Sequence, residues 1–228
     1  MSEFFSSDGP LIGCLQKIGT LILLGILFLV CSLPVITLGT AASALYYAVA
    51  KSVRRGRGYP VREFFRAFQR NLGKGILLTV LWGGITAMLL YNRELLQKAS
   101  AEGSGMLTEM NAGGTDGGIL TLYVIYDGLL ILLAMLGVYL FPVLSRFAMR
   151  LGDIIKLSFV MSVRFLYFTV PLIAGLGILI VLQYKVLPIP MAVLLPGGWT
   201  YLSSFMIERA MKKYTPAPQD GEDAWYLE

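Results

Sequence analysis

Six apolar stretches, each about as long as a bilayer's hydrocarbon core is thick, constrain this chain more than any other feature. Only 14% of the 228 residues are charged, whereas soluble domains carry about 25%. Because backbone polar groups find no water partners in lipid, such stretches must be helical. The sequence therefore predicts an all-α, polytopic transmembrane bundle in residues 1–214 and a disordered acidic tail in residues 215–228. The predicted spans are residues 12–32, 33–50, 75–91, 119–144, 165–184 and 189–207.

The number of crossings depends on the first two stretches, which follow each other without a charged break. As one helix, residues 12–50 would be about 58 Å long, roughly twice the thickness of the hydrocarbon core. Pro34 disfavours helix at Leu33, the residue before it. A tight helical hairpin at this point gives six crossings. A single crossing followed by a re-entrant or interfacial segment over 37–50 gives five.

The positive charges predict the orientation of the chain. Most of the 19 lysines and arginines lie in three segments, residues 51–74, 146–164 and 209–213. Lysine and arginine are retained preferentially on the cytoplasmic side, so these segments and the C-terminus are predicted to be cytoplasmic. Six crossings place the N-terminus inside, and five place it outside. The net charge of +5 is thus interpreted as an orientation signal, and no nucleic-acid partner is expected.

The first basic segment has the strongest local pattern. Phenylalanines and arginines recur at helical spacing on different faces, at Phe64, Phe65 and Phe68 and at Arg62, Arg66 and Arg70. One interpretation is an amphipathic helix in the membrane interface, with rings in the acyl region and arginines at the lipid headgroups. The other is a docking surface for a protein, since interfaces favour aromatic residues and arginine. Residues 145–164 predict a second interfacial helix or a cytoplasmic extension of the fourth span.

Glycine and proline residues predict close helix packing or kinks, at Pro34, Gly39, Pro196, Gly197 and Gly198. For the last three, an unwound stretch of the kind that forms transporter binding sites is the alternative. Residues 92–118, which are rich in glycine, predict a mobile loop on the outer side.

Asp127 is the one acidic residue inside a predicted span. Intramembrane acids are costly and often functional, so Asp127 is a candidate polar site for a proton or ion relay. The alternative is structural: its carboxylate could accept a hydrogen bond from a tyrosine or from a neighbouring helix.

The composition argues against most catalytic sites. The chain contains no histidine and only two cysteines, which removes the commonest general base and the usual ligands of zinc, haem and iron–sulfur clusters. We therefore expect no metal, no cofactor and no enzymatic activity.

Several strings, taken in order, resemble one family. They include Ser-Leu-Pro-Val-Ile-Thr-Leu-Gly at 32–39, Ala-Leu-Tyr-Tyr at 44–47, Arg55-Gly56, Phe64-Phe65, Phe68 and Asn71. Near the end, Leu-Pro-Gly at 195–197 precedes Tyr201-Leu202, Ser204-Phe205 and Lys-Lys-Tyr at 212–214. This pattern, over about residues 10–214, resembles the YesL family of bacterial membrane proteins of unknown function.

The resemblance implies a bacterial plasma-membrane protein encoded beside carbohydrate ABC importers and polysaccharide-degrading enzymes. It implies an accessory role in sugar uptake, and the inside loops carry no Glu-Ala-Ala coupling motif of a standard permease subunit. The leading hypothesis is thus a non-enzymatic accessory protein that contacts ABC permease subunits, the bilayer and possible further copies of itself. The alternatives are a small-solute or ion transporter centred on Asp127, and a membrane enzyme or signalling module.

Overall fold

The structure is a computed structural model that describes residues 10–101, 117–147, 149–185 and 188–214. All the regular structure in these ranges is helical, which confirms the predicted all-α class. The main helices are α1 (Pro10–Ser32), α2 (Leu38–Ala48), α3 (Pro60–Ala101), α4 (Gly117–Arg146), α5 (Leu151–Arg164), α6 (Leu166–Lys185) and α7 (Pro188–Lys212). The tail predicted for residues 215–228 lies outside the described residues.

Pro34 marks the end of α1, as the sequence predicts. The helix stops at Ser32, and a short 3-10 turn (Val35–Thr37) leads into α2. The Thr37 hydroxyl contacts the carbonyl oxygens of Cys31 at 2.6 Å and of Pro34 at 2.7 Å. The Pro34 carbonyl oxygen also accepts from the Thr37 amide at 2.9 Å, so Thr37 ties the end of α1 to the turn that follows it.

Helix α2 is the centre of the bundle. All of its residues from Gly39 to Ala48 are buried except Ala42, and the wider π turn that continues it (Val49–Val53) is wholly buried. Small side chains let α3 approach closely, so that a Cβ on Gly75 would clash with Thr40 and one on Gly39 with Phe141 and Thr79. The Gly39 amide also donates to the Thr79 hydroxyl oxygen at 3.1 Å.

The boundaries of α3 differ from the predicted ones at two places. The sequence predicts an interfacial helix near residues 60–72 and a separate span over 75–91, but the structure contains one continuous helix, Pro60–Ala101. Its buried face explains the continuity, because Phe64, Ala67, Asn71, Gly75 and Leu78 recur every three or four residues along α2. At its far end the helix also takes in residues 92–101, which were predicted to belong to a mobile loop. The rest of that loop, residues 102–116, lies outside the described residues.

Three helices are long and apolar enough to cross a membrane, within the residues described: Leu15–Ser32, Pro60–Lys98 and Thr121–Arg146. The pair Leu151–Arg164 and Leu166–Ile178, which meet at 94°, supplies a fourth candidate if it counts as one broken span. Exposed apolar side chains such as Val80, Met88 and Val124 lie on these helices, as expected for surfaces that face lipid. The chain is therefore compatible with a membrane protein.

The six crossings predicted from the sequence are not established by this arrangement. Helix α2 and its π turn cover residues 38–53, about 24 Å at 1.5 Å per residue, which is less than the roughly 30 Å of a hydrocarbon core. The second basic segment forms its own helix, α5, after a break that follows Arg146. The alternative of a long extension of the fourth span is therefore wrong.

Candidate functional site at the basic end

A buried ionic cluster lies where the turn after α2 meets the C-terminal ends of α4 and α7. We call this end of the bundle the basic end. Glu208 of α7 is at its centre, and its side chain is only 6% exposed. Its Oε2 lies 2.6 Å from the Arg55 guanidinium and 3.8 Å from that of Arg54, and its Oε1 lies 3.7 Å from that of Arg146. One carboxylate thus neutralises part of the charge of three guanidinium groups, and the cluster stays positive.

The arginines of the cluster are also held by the backbone and by rings. Arg54 donates to the Ser204 carbonyl oxygen at 2.9 Å, and its guanidinium lies 4.4 Å from the centre of the Phe205 ring. Arg146 is 4% exposed and lies near the Met211 sulfur. Buried ions of this kind are tolerated only when partners replace the lost water, so the cluster fixes three segments far apart in sequence.

A second buried pair fastens the start of α3. The Lys51 ammonium lies 3.3 Å from Glu63, and both side chains are about nine-tenths buried. The same ammonium lies 3.5 Å from the Tyr47 hydroxyl. The chain between them turns through Gly56 and Gly58, whose φ values of 66° and 78° suit glycine because it has no Cβ. We call this pair and the Glu208 cluster together the buried charge network (Lys51, Arg54, Arg55, Glu63, Arg146 and Glu208).

The predicted contact residues on α3 divide into two groups. Phe64 is fully buried and stacks with the half-buried Phe68 at 6.2 Å, so Phe64 cannot contact lipid or a partner, and that prediction is wrong. Phe65 is 41% exposed, and Arg62 and Arg66 are exposed beside it. Helical periodicity brings all three phenylalanines close to one side, and the packing of α2 against α3 decides which of them is covered.

The exposed group lines a shallow groove, which we call the basic groove (Arg62, Phe65, Arg66, Gln69 and Arg70). Arg70 anchors the groove to the bundle, because it donates to the Ser145 carbonyl oxygen at 2.9 Å and lies 5.2 Å from the centre of the Tyr47 ring. Lys74, one turn further along, donates to the Met149 carbonyl oxygen at 2.9 Å. The groove is thus a charged and aromatic surface on a helix whose position is fixed.

Asp127 lies at the other end of the bundle. Its carboxylate accepts a hydrogen bond from Arg93 of α3 at 2.7 Å, and the two side chains are 48% and 40% exposed. The Tyr123 ring lies 6.0 Å from the same guanidinium. The residue thus has a hydrogen bond to a neighbouring helix, which the sequence offered as the structural interpretation. Arg93 was not identified as its partner, because the sequence placed it in a loop.

The predicted glycine and proline sites have different surroundings. A Cβ on Gly197 would meet the backbone of Leu21 in α1, whereas one on Gly198 would meet nothing within 4 Å. Helix α7 runs without a break through Pro196, so the unwound stretch considered from the sequence is absent. The Thr200 hydroxyl donates to the Pro196 carbonyl oxygen at 2.6 Å within the same helix.

Sequence reasoning missed most of the buried charge network. Glu208 follows the last predicted span directly, and Lys51, Glu63 and Arg146 were taken as residues of cytoplasmic segments. One signal was present: Ser204, Glu208 and Met211 have the spacing of one helical face, and an acid on an otherwise buried face needs a partner. Its partners lie about 60 to 150 residues away along the chain, and no local pattern identifies them.

The comparisons with known proteins give one match. Residues 21–93 match the model of a family described as "Protein of unknown function, DUF624". No curated protein and no solved structure matches the chain. The matched segment holds most of α1, all of α2, the basic groove and Arg93, whereas Arg146, Glu208 and Asp127 lie beyond it.

Proposed function

We propose that this protein is a non-enzymatic membrane accessory protein whose basic groove docks on the permease subunits of a bacterial carbohydrate ABC importer. The observation that carries the proposal is the exposure of Phe65 between Arg62 and Arg66 on a helix fixed by buried contacts. The resemblance to the YesL family supplies the class of partner, and the match to a family of unknown function is compatible with it.

The basic groove has the composition of a protein-binding surface. Aromatic residues and arginine are enriched at the centres of interfaces, and a few such residues carry most of the binding free energy. A preformed surface also loses little conformational entropy on binding. Arg70 contacts the last turn of α4 and Lys74 contacts the segment after it. These contacts and the buried charge network supply that rigidity.

The orientation follows from the same residues. Lysine and arginine are retained preferentially on the cytoplasmic side, so we place the basic end in the cytoplasm together with the C-terminus. The basic groove then faces the cytoplasmic side of the bacterial plasma membrane, where the loops of a permease and its ATPase subunits meet. Self-association through the apolar outer faces of α1, α3 and α4 is compatible with this arrangement.

The test is co-purification from native membranes in a gentle detergent. We expect the Phe65→Ala/Arg66→Ala variant to recover at least about tenfold less permease subunit than the unmodified protein, the loss that corresponds to truncating one interface hot spot. Membrane insertion and thermal stability should be unchanged, because both side chains are exposed. Phe64→Ala is unsuitable for this purpose, since its loss would disturb the core.

A matched control comes from α5. Phe159 is 44% exposed, close to the 41% of Phe65, and Lys156 is an exposed base nearby. The Phe159→Ala/Lys156→Ala variant should recover the permease normally. Equal recovery by both double variants, or recovery of no permease by the unmodified protein, would count against the proposal. If the groove serves only lipid, its variant should instead lose binding to anionic vesicles and leave protein partners unaffected.

A further inference from the structure

An apolar cavity of about 440 Å³ lies in the middle of the bundle, apart from the basic groove. Residues from six helices line it, and the lining includes the large side chains Phe28, Trp82, Phe141, Leu172 and Trp199. Volumes of about 300–1,000 Å³ with apolar and aromatic walls are typical of small-molecule sites. Phe28, Trp82 and Phe141 belong to three of the described helices that are long and apolar enough to cross a membrane.

The shape of the cavity favours a chain over a compact molecule. Along α7 its lining extends from Leu195 to Ile207, about 18 Å at 1.5 Å per residue. Along α2 it extends from Leu38 to Tyr46, about 12 Å by the same measure. The cavity therefore follows the helix axes, as the acyl chains of a bilayer do.

The walls offer few hydrogen bonds to a ligand. The Trp82 indole N–H already donates to the Leu133 carbonyl oxygen at 2.9 Å. The hydroxyls of Thr200 and Ser203 donate to backbone carbonyl oxygens of their own helix. A sugar or an ion would need several polar partners here, so the lining disfavours both and suits a hydrocarbon.

Tyr46 is the exception and gives the cavity a direction. Its side chain lines the cavity, the residue is 4% exposed, and its hydroxyl has no hydrogen-bond partner. Ile207, which also lines the cavity, directly precedes Glu208. Ser203 lines it as well and precedes Ser204, whose carbonyl oxygen accepts the hydrogen bond from Arg54. The polar end of the cavity thus lies beside a cluster in which three guanidinium groups face one carboxylate.

We infer that this cavity binds one acyl chain of an anionic phospholipid, with the polar part of the lipid toward Tyr46. The apolar walls take the hydrocarbon, the Tyr46 hydroxyl donates to an oxygen of the lipid, and the excess positive charge beyond it favours an anionic headgroup. This inference does not depend on docking at the basic groove, because the two sites share no lining residue.

The test is a fluorescence titration of the full chain in detergent with phosphatidylglycerol whose acyl chains carry bromine, which quenches tryptophan on contact. Trp225 is first replaced by phenylalanine, so that the signal comes from Trp82 and Trp199, which both line the cavity. We expect saturable quenching by one lipid. Ala134→Phe, which fills the cavity, should weaken the apparent affinity at least tenfold. Ala87→Phe, on an exposed face of α3 away from the cavity, should leave it unchanged.

Further variants keep the test decisive if one variant does not fold. If Ala134→Phe does not fold, Ala42→Leu fills the same cavity from α2. Tyr46→Phe keeps the ring and should weaken phosphatidylglycerol binding at least threefold, while brominated phosphatidylcholine should bind more weakly than phosphatidylglycerol to the unmodified chain. Quenching that does not saturate would show only nonspecific partitioning of the lipid into the detergent around the protein, and it would overturn the inference. Equal quenching of the unmodified chain and of a cavity-filling variant would overturn it as well. Equal affinity for the two lipids would overturn the charge assignment.

Discussion

The charged residues at the two ends of the bundle differ in how deeply their side chains are buried. At the basic end, Glu208 and Arg146 are 6% and 4% exposed and join segments far apart in sequence. At the other end, Arg93 and Asp127 form a contact of 2.7 Å, about as short as the 2.6 Å between Arg55 and Glu208, but they are 40% and 48% exposed. A short distance alone therefore does not identify the contact that holds the fold. The burial of the side chains identifies that contact, because an ion removed from water depends on its partners. An exposed ion pair contributes little to the free energy of folding.

The difference also separates the two functional hypotheses. A relay centred on Asp127 would need a polar route through the bundle, but the cavity in the middle of the bundle has an almost wholly apolar lining. The basic end has what a docking surface needs, a fixed scaffold beneath an exposed groove. The proposed docking surface is therefore at the basic end.

The largest effect is expected at Glu208. Glu208→Gln keeps the size of the side chain but leaves three buried or half-buried guanidinium groups without a carboxylate, which should cost about 3–5 kcal/mol. Thermal denaturation in detergent should show a loss of several degrees or a failure to fold. As a control, Glu94→Gln removes an exposed pair with Lys98, whose side chains are 61% and 64% exposed, and should change the melting temperature little. Similar melting temperatures for the two variants would remove the distinction between buried and exposed pairs.

A pair of adjacent glycines tests the scaffold by packing alone. Gly197→Ala should destabilise by about 1–3 kcal/mol, the usual cost of overpacking, because the added methyl group meets the backbone of α1. Gly198→Ala has open space and should be neutral or gain up to about 1 kcal/mol from its higher helix propensity. Denaturation of the two variants side by side is the measurement. The reverse order would mean that α1 and α7 do not meet as described.

The smallest effect is expected at the opposite end. Asp127→Asn should change the melting temperature little, because the pair with Arg93 is half exposed. A double-mutant cycle with Arg93→Gln gives the coupling free energy directly. Flux measured in vesicles with the same variant addresses the transporter hypothesis. A flux that the protein supports and Asp127→Asn abolishes would reverse the assignment of function to the basic end.

Local patterns predicted much of this fold. The apolar runs predicted the helices, and Pro34 predicted the end of α1. The arginine and phenylalanine repeats predicted an exposed basic and aromatic face on α3, and Arg62, Phe65 and Arg66 are exposed. These features depend only on neighbours a few residues away, so the sequence displays them.

The buried charge network could not be predicted in the same way. Arg55 and Glu208 are 153 residues apart, and each looks like an ordinary residue of a loop or a helix end. The continuity of α3 was missed because Gly73, Lys74 and Gly75 look like a break, whereas packing on α2 selects glycine at position 75. Asp127 was a candidate because it is an acid inside a predicted span. Its carboxylate accepts a hydrogen bond from Arg93, and both side chains are half exposed.

The most direct test of the account compares two positions on one helix. Phe65 is at the basic end of α3 and Tyr91 is near the other, and they are 41% and 62% exposed. A photo-crosslinking amino acid placed at each position in turn, in native membranes, would report which end meets the permease. We expect adducts with a carbohydrate ABC permease subunit from position 65 and none from position 91. Adducts from position 91 alone, or from both positions equally, would contradict the assignment of the interaction to the basic end.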